Sequence, residues 1–423
     1  MANCIAPSRS GLSQLNNSAP LTHKQRLRHD QPLWAASPRI SVVSRKRPSS
    51  ASFDVIIVGA GISGALMAHA LAGKGLKILV VDRRQPVRGS TIASTAMIQH
   101  EIDVPLHMLA KMIGEKKAQR VWQRSARAVE GLVSLVRDLE LKCAFDRKRT
   151  LFLSGEEYGA RALQAEVDAR TKAGIKAELL DSFTLRERHG LQRPAAIDSA
   201  ISASADPAQL TAALLRNAKV HGIEITAGVE IKDVRNIEEE VVVSTSEGEM
   251  LTANHVVFCT GYEFLEAIAN KSQTLISTWA LASRPHLKRP EWLDHYLVWE
   301  GSDPYLYFRT TPDGRVIVGG EDEDGEGAYK DTFKAAKKAK VLIEKLGELT
   351  GISIGKPDFT WSAAFGVTPN GLPMIGHLPG MKNVFVTMGF GGNGITFSKI
   401  AADIISSEIL GHRDTDWDLF PIH

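Results

Sequence analysis

The sequence predicts an α/β fold, in which a Rossmann-like dinucleotide-binding domain is combined with a second, mixed-sheet α+β domain. A strand, a glycine turn, a helix and a second strand follow one another over residues 54–82. Strand-rich stretches at 223–260 and 274–320 alternate with helical stretches, and a second glycine-rich turn at 389–394 precedes the last helix. Such alternation is typical of α/β and α+β architectures.

The first element is a dinucleotide-binding βαβ unit. Gly59 permits a sharp turn, Gly61 lets the backbone approach a pyrophosphate, and Gly64 lets helix and strand pack closely. Asp82 ends the second strand, where an acid can accept a hydrogen bond from a ribose hydroxyl. The predicted dinucleotide contacts are Gly59, Ala60, Gly61, Ile62, Ser63, Gly64, Asp82 and Arg83, the last beside the adenine.

A membrane span is the alternative for residues 55–73, which contain no Asp, Glu, Lys or Arg and are long enough to cross a bilayer. Glycines, Ser63 and His69 interrupt this stretch, and the glycines fall where a nucleotide turn needs them. We therefore predict no membrane span.

Charge is distributed unevenly along the 423 residues. Residues 1–52 hold eight Lys and Arg against Asp30 alone, which leaves 43 basic and 47 acidic residues in the remainder. A mildly acidic body gives no reason to expect nucleic-acid binding. Residues 1–52 lack apolar periodicity, so we predict a disordered basic extension, either a plain solvated leader or an organellar targeting segment.

The three cysteines form no CxxC pair, so neither a disulfide framework nor a cysteine metal site is predicted. This cysteine usage favours a reducing, cytoplasmic location, with an organellar one as the alternative. The acidic run at 321–326 is predicted to be a solvated loop rather than a metal site, and no other metal site is predicted.

Apolar spacing and turn residues predict the remaining elements. Asp206 and Pro207 open a helix as N-cap and first-turn residues, and the Thr-Pro-Asp-Gly turn at 311–314 joins two strands into a hairpin. Helices are predicted at 105–141, 156–173, 183–189 and 331–349, and strands at 150–153, 199–203, 305–309 and 315–320.

Four separated segments together resemble the D-amino-acid oxidase superfamily of FAD-dependent oxidoreductases, which includes glycine oxidase and sarcosine oxidase. The segments are 59–64 with Asp82, 89–95, 256–261, and 368–376 followed by 389–396. The resemblance extends from about Phe53 to the C-terminus. It implies an FAD-binding domain of 53–106 with 196–265 and 362–423, and a substrate domain of 107–195 with 266–361.

The resemblance also assigns cofactor contacts. It places the loop of Ser90, Ser94 and Thr95 near the flavin, Thr260 and Gly261 beside the cofactor, and Val229 near adenine, although Val229 also suits an ordinary strand core. The last glycine turn, with Gly391, Gly392, Asn393, Gly394 and Ile395, would point a helix N-terminus at the flavin, where its dipole stabilises negative charge. Because no histidine stands near 92–93 and Cys259 falls in a buried strand, we predict noncovalent FAD.

The candidate catalytic residues are Tyr305, Tyr307, Arg309 and Phe365. By resemblance, the strand 305–309 lies over the flavin, and its alternation puts Tyr305, Tyr307 and Arg309 on one side, where they could clamp an acidic or polar substrate. Packing roles in the sheet, or a pairing of Arg309 with a nearby acid, are the alternatives. Phe365 stands where amino-acid-oxidising relatives carry an arginine for the substrate carboxylate. A larger amine, or a carboxylate held by Arg309, is therefore favoured over an α-amino acid.

The predicted function is FAD-dependent removal of a hydride from a C–H next to nitrogen in a small amine or amino acid derivative. Electrons would pass to oxygen, a quinone or another carrier. A 2-hydroxyacid dehydrogenase is a weaker alternative because that chemistry usually needs a histidine base, and none lies at 305–309 or 361–376. A flavin-binding partner subunit without turnover is the third alternative.

Overall fold

The computed structural model describes residues 21–22, 24–266, 273–325 and 327–422. The α-helices of these ranges are α1 Ile62–Leu71, α2 Leu106–Ile113, α3 Glu115–Asp138, α4 Ala160–Lys172, α5 Ser182–His189, α6 Pro207–Val220, α7 Thr332–Thr350 and α8 Gly394–Ile409. The strands are β1 Arg28–His29, β2 Ser52–Val58, β3 Ile78–Asp82, β4 Met97–Gln99, β5 Asp146–Ser154, β6 Ala177–Asp181, β7 Ala195–Ser204, β8 Glu224–Ala227, β9 Ile231–Ile237, β10 Glu240–Thr245, β11 Met250–Phe258, β12 Thr274–Ala282, β13 Tyr296–Gly301, β14 Leu306–Thr310, β15 Val316–Asp324, β16 Phe359–Val367, β17 Met374–Leu378 and β18 Met381–Met388.

The first sheet has the strand order β17-β18-β11-β2-β3-β8, with β9 and β10 extending it from β11. The five strands from β18 to β8 are parallel to one another. Val55 and Ile57 pack into the core that contains α1 and α8, whereas Ile56 packs into the core on the opposite face. Burial on both faces explains why residues 55–58 of β2 form a continuous apolar run.

The second sheet has the order β1-β16-β12-β15-β14-β13-β5-β7-β4, with β6 paired to β7. Its pairs are antiparallel except for β13 with β5. Helix α7 packs on the face of β12 and β15, where Leu342 and Leu346 are fully buried. The fold class predicted from the sequence, a Rossmann-like domain joined to a mixed-sheet domain, is confirmed.

The two sheets divide the chain differently from the predicted domain boundaries. Strands β4 and β7 lie in the second sheet, although they were assigned mainly to the dinucleotide domain. The predicted boundary at 361/362 cuts β16, whose residues 359–367 all pair with β12. Sequence patterns indicate a strand but not its partner, so the pairing of strands into sheets could not enter the predicted boundaries.

The prediction that residues 1–52 are disordered is wrong for the part from residue 24 onward. β1 pairs with β16, and the side chains of Leu27, Trp34, Ile40 and Val42 are buried. These apolar residues fill gaps in the core without forming a long regular element, so the segment has no periodicity to detect. Residues 1–20 lie outside the described residues.

Most local predictions agree with the structure. The hairpin of β14 and β15, helix α7, and the N-cap of α6, where Asp206 accepts from the amides of Ala208 and Gln209 at 2.9 Å, are confirmed. The predicted helix at 105–141 is instead two helices, because Gly114 adopts φ +87° between α2 and α3. Within the described ranges, no helix is both long and apolar enough to cross a membrane.

Candidate functional site

A single cavity of ≈ 420 Å³ begins at the carboxyl ends of β2, β3 and β11 and continues to the second sheet. Ligands of open α/β sheets bind at this edge. All but three of the predicted site residues line it: Gly59, Gly61, Ile62, Ser63, Asp82, Arg83, Ser90, Ser94, Thr95, Val229, Thr260, Gly261, Tyr305, Tyr307, Phe365, Gly391, Gly392, Asn393, Gly394 and Ile395. The exceptions are Ala60, Gly64 and Arg309, which lie behind the cavity wall.

The glycine turn before α1 leaves no room for side chains. Gly59 has φ +116°, and a Cβ there would stand 2.3 Å from the carbonyl oxygen of Cys259. A Cβ on Gly64 would stand 1.8 Å from the carbonyl oxygen of Gly59. Gly61 is the N-cap of α1 and brings no capping side chain, so the positive end of the helix dipole faces the cavity without a built-in anion.

Asp82 is held rigidly beside this turn. One carboxylate oxygen accepts from the Ala60 amide and the other from the Arg84 amide, both at 2.7 Å. Burial raises the pKa of Asp82, and the two amide hydrogen bonds oppose that effect. Each oxygen keeps a second lone pair, so the carboxylate can still accept a hydrogen bond from a ligand hydroxyl.

Glu263, a buried residue that the sequence analysis did not identify, lies at the same end of the cavity and binds several neighbouring groups. The Arg84 guanidinium binds it with two hydrogen bonds of 2.8 Å, and Arg83 pairs with the same carboxylate. The Gln25 amide donates to it at 3.1 Å, which ties the N-terminal segment to the site. No local motif marks Glu263, because its partners are about 180 residues away in the sequence.

The loop of residues 90–95 is held by three side chains that donate to three consecutive carbonyl oxygens. The Trp361 indole donates to Ala93 at 2.9 Å and the Trp34 indole to Ser94 at 2.7 Å. The Arg309 Nε donates to Thr95 at 2.6 Å. These three donors come from distant parts of the chain and fix the backbone of the 90–95 loop.

Arg309 is therefore a structural residue, and the prediction that it clamps substrate is wrong. Its side chain is 1% exposed, and its two Nη atoms donate at 3.0 Å to the carbonyl oxygens of Thr310 and Ala205. The guanidinium lies over the Trp34 ring at 5.4 Å. Burial lowers the pKa of Arg309 to about 9, against an opposing effect of Asp206. Strand alternation predicted correctly which face of β14 carries Arg309. It could not predict that the 90–95 loop covers this side chain.

The second glycine turn leads into α8 at the cavity wall. Gly389 and Gly391 have φ of +73° and +51°, a backbone conformation that favours glycine. The Asn393 side chain donates to the Glu101 carbonyl oxygen at 2.9 Å, and the Gly392 amide donates to Asp103 at 3.0 Å. α1 and α8 pack together, so both helices begin at the same cavity.

Aromatic side chains dominate the other end of the cavity. The rings of Tyr305 and Tyr307 lie 5.7 Å apart, and burial raises the pKa of both hydroxyls. A Cβ on Gly319, the cross-strand partner of Tyr307, would stand 2.3 Å from the Tyr307 hydroxyl oxygen. Phe365, on β16, lines the same end.

Asp322 also lines this end, and the prediction of a solvated acidic loop is wrong for it. Thr278 of β12 opposes two residues of β15, Glu321 and Asp322, and Glu321 has φ +58°. This β-bulge turns Asp322 toward the cavity, as bulges near functional sites commonly do. Burial raises the pKa of Asp322 to about 6. Simple alternation along β15 could not have revealed it.

Residues 54–408 match the family model described as FAD dependent oxidoreductase. The chain belongs to this family. The resemblance to the D-amino-acid oxidase superfamily is thus confirmed, and with it the FAD dependence of this oxidoreductase.

Individual relatives of this FAD-dependent oxidoreductase are distant. YhfW of Bacillus subtilis, named as a Rieske 2Fe-2S iron-sulfur protein, is 23% identical over 84% of this chain and 68% of its own. Gamma-glutamylputrescine oxidoreductase of Escherichia coli is 22% identical over 91% of this chain and 90% of its own. The crystal structure of glycine oxidase from Geobacillus kaustophilus superposes with a TM-score of 0.72 at 19% identity, covering 88% of this chain and 99% of that one. The superposition with glycine oxidase shows a shared fold.

Proposed function

We propose that this FAD-dependent oxidoreductase removes a hydride from a C–H next to nitrogen in a small amine. The observation that carries the proposal is the charge of the cavity. Arg83 and Arg84 are the only Lys or Arg residues among its described lining residues, and both are paired with Glu263 at the dinucleotide end. The lining includes seven acids, namely Asp82, Asp103, Glu157, Glu230, Glu263, Glu300 and Asp322.

The residues of the dinucleotide end fit FAD. The glycine turn at Gly59–Gly64 and the uncapped start of α1 suit the pyrophosphate, and Asp82 suits the ribose. We assign Val229 to the adenine side, and the 90–95 loop and the start of α8 to the flavin. When bound, FAD supplies the hydride acceptor.

We further propose that FAD is held without a covalent bond. Cys259 lines the cavity, but its burial raises the thiol pKa to about 12. Because the thiolate is the reactive form of cysteine, this residue is poorly suited to attach a flavin.

At the substrate end of the cavity, the role of the protein side chains is to orient the amine. Tyr305, Tyr307 and Phe365 provide aromatic walls that can hold an amine in one orientation and exclude water. An α-amino acid or a 2-hydroxy acid brings a carboxylate, which would find no unpaired cation among the described lining residues. No histidine lines the described cavity either, which removes the usual base for alcohol oxidation. The name of one relative, gamma-glutamylputrescine oxidoreductase, refers to an amine derivative and supports amine oxidation.

Anaerobic flavin bleaching tests the proposal. The FAD-loaded protein is mixed with amines, α-amino acids and 2-hydroxy acids, and the flavin absorbance is followed. We expect bleaching by amines; bleaching by 2-hydroxy acids alone, or by nothing in the panel, would contradict the proposal. Acid precipitation should leave the flavin in the supernatant, and re-oxidation by oxygen or by a quinone then identifies the class of electron acceptor.

A further inference from the structure

We propose that Asp322 is the specificity-determining residue, and that with Thr278 and Tyr305 it recognises the positive charge of a protonated amine. This inference rests on the proposed function and extends it by naming the charge of the substrate and the residue that selects it. The recognised ligand class is a cationic amine without an α-carboxylate. After binding, the ammonium must give one proton to the Asp322 carboxylate or to water, because only the neutral amine can lose a hydride.

The β-bulge in β15 directs the Asp322 side chain toward the cavity. Glu321 faces α7, where its carboxylate contacts Lys338 at 3.3 Å and its carbonyl oxygen accepts from the same lysine at 2.8 Å. The next residue, Asp322, lines the cavity beside Tyr305 and Tyr307. In a regular strand, Glu321 would lie on the same face as Gly319 and Tyr307. Because the bulge adds one residue, Asp322 lies on that face instead.

The Asp322 carboxylate lacks a compensating charge. Both of its oxygens are buried, and neither has a hydrogen-bond partner of ordinary geometry among the described residues. The hydroxyls of Thr278 and Tyr305 are close enough to stabilise the ionised carboxylate of Asp322, although they do not meet the geometry of an ordinary hydrogen bond. Lys338 exerts a favourable electrostatic effect on Asp322, but its ammonium group is already paired with Glu321 at 3.3 Å and with Glu323 at 3.0 Å. A buried carboxylate without a partner is costly, and a ligand cation would remove that cost.

The surroundings of Asp322 suit an ammonium group. Hydroxyl oxygens of Thr278 and Tyr305 can accept its remaining N–H bonds. The faces of the two tyrosine rings can attract the same cation. Phe365 contributes an apolar wall for the rest of the molecule.

The test uses matched substrates that differ only by an α-carboxylate: ethylamine with alanine, and benzylamine with phenylglycine. Anaerobic flavin reduction by each member is measured in the FAD-loaded wild type, in Asp322→Asn, and in Asp324→Asn, which changes an exposed acid of the same strand. We expect the wild type to prefer each amine over its carboxylated partner. Asp322→Asn should weaken the apparent affinity for the amine roughly tenfold, since a charge-assisted contact is lost, and Asp324→Asn should not.

Calorimetric binding of tetramethylammonium supplies a readout other than activity, because this cation neither titrates nor reacts. Asp322 is faced by Asp103, Tyr305, Tyr307, Thr278 and Lys338. With the Asp322 pKa raised to about 6, wild-type affinity should increase as the pH rises from 5 to 7, and this increase should be absent in Asp322→Asn. Equal affinities and equal pH profiles in the two proteins would overturn the inference.

The two proposals fail differently. If no amine and no amino acid bleaches the flavin, the proposed function fails. If amines bleach it but Asp322→Asn matches the wild type, or α-amino acids are the better substrates, only the role of Asp322 is refuted.

Discussion

The Trp34 indole N–H donates a 2.7 Å hydrogen bond to the carbonyl oxygen of Ser94, which lies sixty residues further along the chain. Trp34 belongs to the basic N-terminal segment, and Ser94 belongs to the loop assigned to the flavin. This contact fixes the N-terminal segment to the loop that we propose to contact the flavin.

Replacing Trp34 by Phe should weaken FAD binding. The variant keeps most of the buried ring but loses one hydrogen bond, worth about 0.5–1.5 kcal/mol, so the Kd for FAD should rise roughly two- to tenfold. Flavin fluorescence titration measures this Kd. Trp292→Phe, at a tryptophan whose contacts lie with His189 and Tyr296, is the control and should leave the Kd unchanged.

Gly64→Ala should abolish FAD retention. The new Cβ would stand 1.8 Å from the Gly59 carbonyl oxygen, so the turn and α1 must separate. The purified variant should lack the flavin absorbance or be insoluble. Gly159→Ala, where a Cβ meets nothing within 4 Å and φ is −74°, should bind FAD normally. Full FAD content in Gly64→Ala would show that the turn relaxes at little cost.

Arg309→Met should destabilise the protein rather than change its substrate preference. The change removes the donor of two buried carbonyl oxygens, at Ala205 and Thr310, and of the part-buried carbonyl oxygen of Thr95. Each unsatisfied group costs about 1–3 kcal/mol, so the free energy of unfolding should fall by at least about 2 kcal/mol in urea titrations. If stability were intact and the KM for a carboxylated substrate rose instead, the original substrate-clamp role would be restored.

Phe365→Arg should create affinity for carboxylates. The side chain at 365 lines the aromatic end of the cavity, which has no other described cation. A guanidinium there can form a bidentate contact, worth about 1.5–3 kcal/mol, so the inhibition constant of benzoate should fall roughly tenfold or more. Phe183→Arg, at an exposed phenylalanine, serves as the comparison and should have no effect.

The acid stability of the protein should depend on Glu166. The Arg170 Nε donates to Glu166 at 2.8 Å and the His107 amide donates at 2.9 Å, and these contacts, opposed by burial, lower the pKa of Glu166 to about 2. Because the folded pKa lies below the ordinary value of 4.5, the stabilisation is complete above that value and is lost as the pH falls toward 2. The contribution should be about 3 kcal/mol at pH 6 and about half of that at pH 3.

Urea unfolding of Glu166→Gln at these two pH values measures this effect. The stability gap between wild type and variant should narrow on acidification. Asp168→Asn changes an exposed acid of the same helix and should show no such gap. A gap that stayed constant with pH would mean that the Glu166 carboxylate titrates normally.

The sequence predicted the geometry of the glycine turn because the requirements of that turn are local. Gly59, Gly61 and Gly64 have a fixed spacing at the junction of a strand and a helix, and each is required by the steric limits of the turn. The hairpin of β14 and β15 was equally local, since its turn residues lie between its two strands.

The substrate half could not be predicted in the same way, because its determinants lie between strands. Asp322 depends on a bulge that becomes visible only when β15 is paired with β12. Arg309 was placed on the correct face of β14, but whether it met solvent or a loop depended on the folding of residues 93–95 over it. Trp34 carried no signal because one buried tryptophan in an irregular segment has no period.

The involvement of Gln25 and Trp34 in the folded body has a consequence for proteolytic maturation. A processing cut that left the body intact would have to fall before Leu21, whose carbonyl oxygen accepts a hydrogen bond from the Glu266 amide at 3.0 Å. A cut at the end of the basic stretch, near residue 52, would instead remove Trp34 and β1. The product would keep the complete glycine motif and still be a poor flavoprotein.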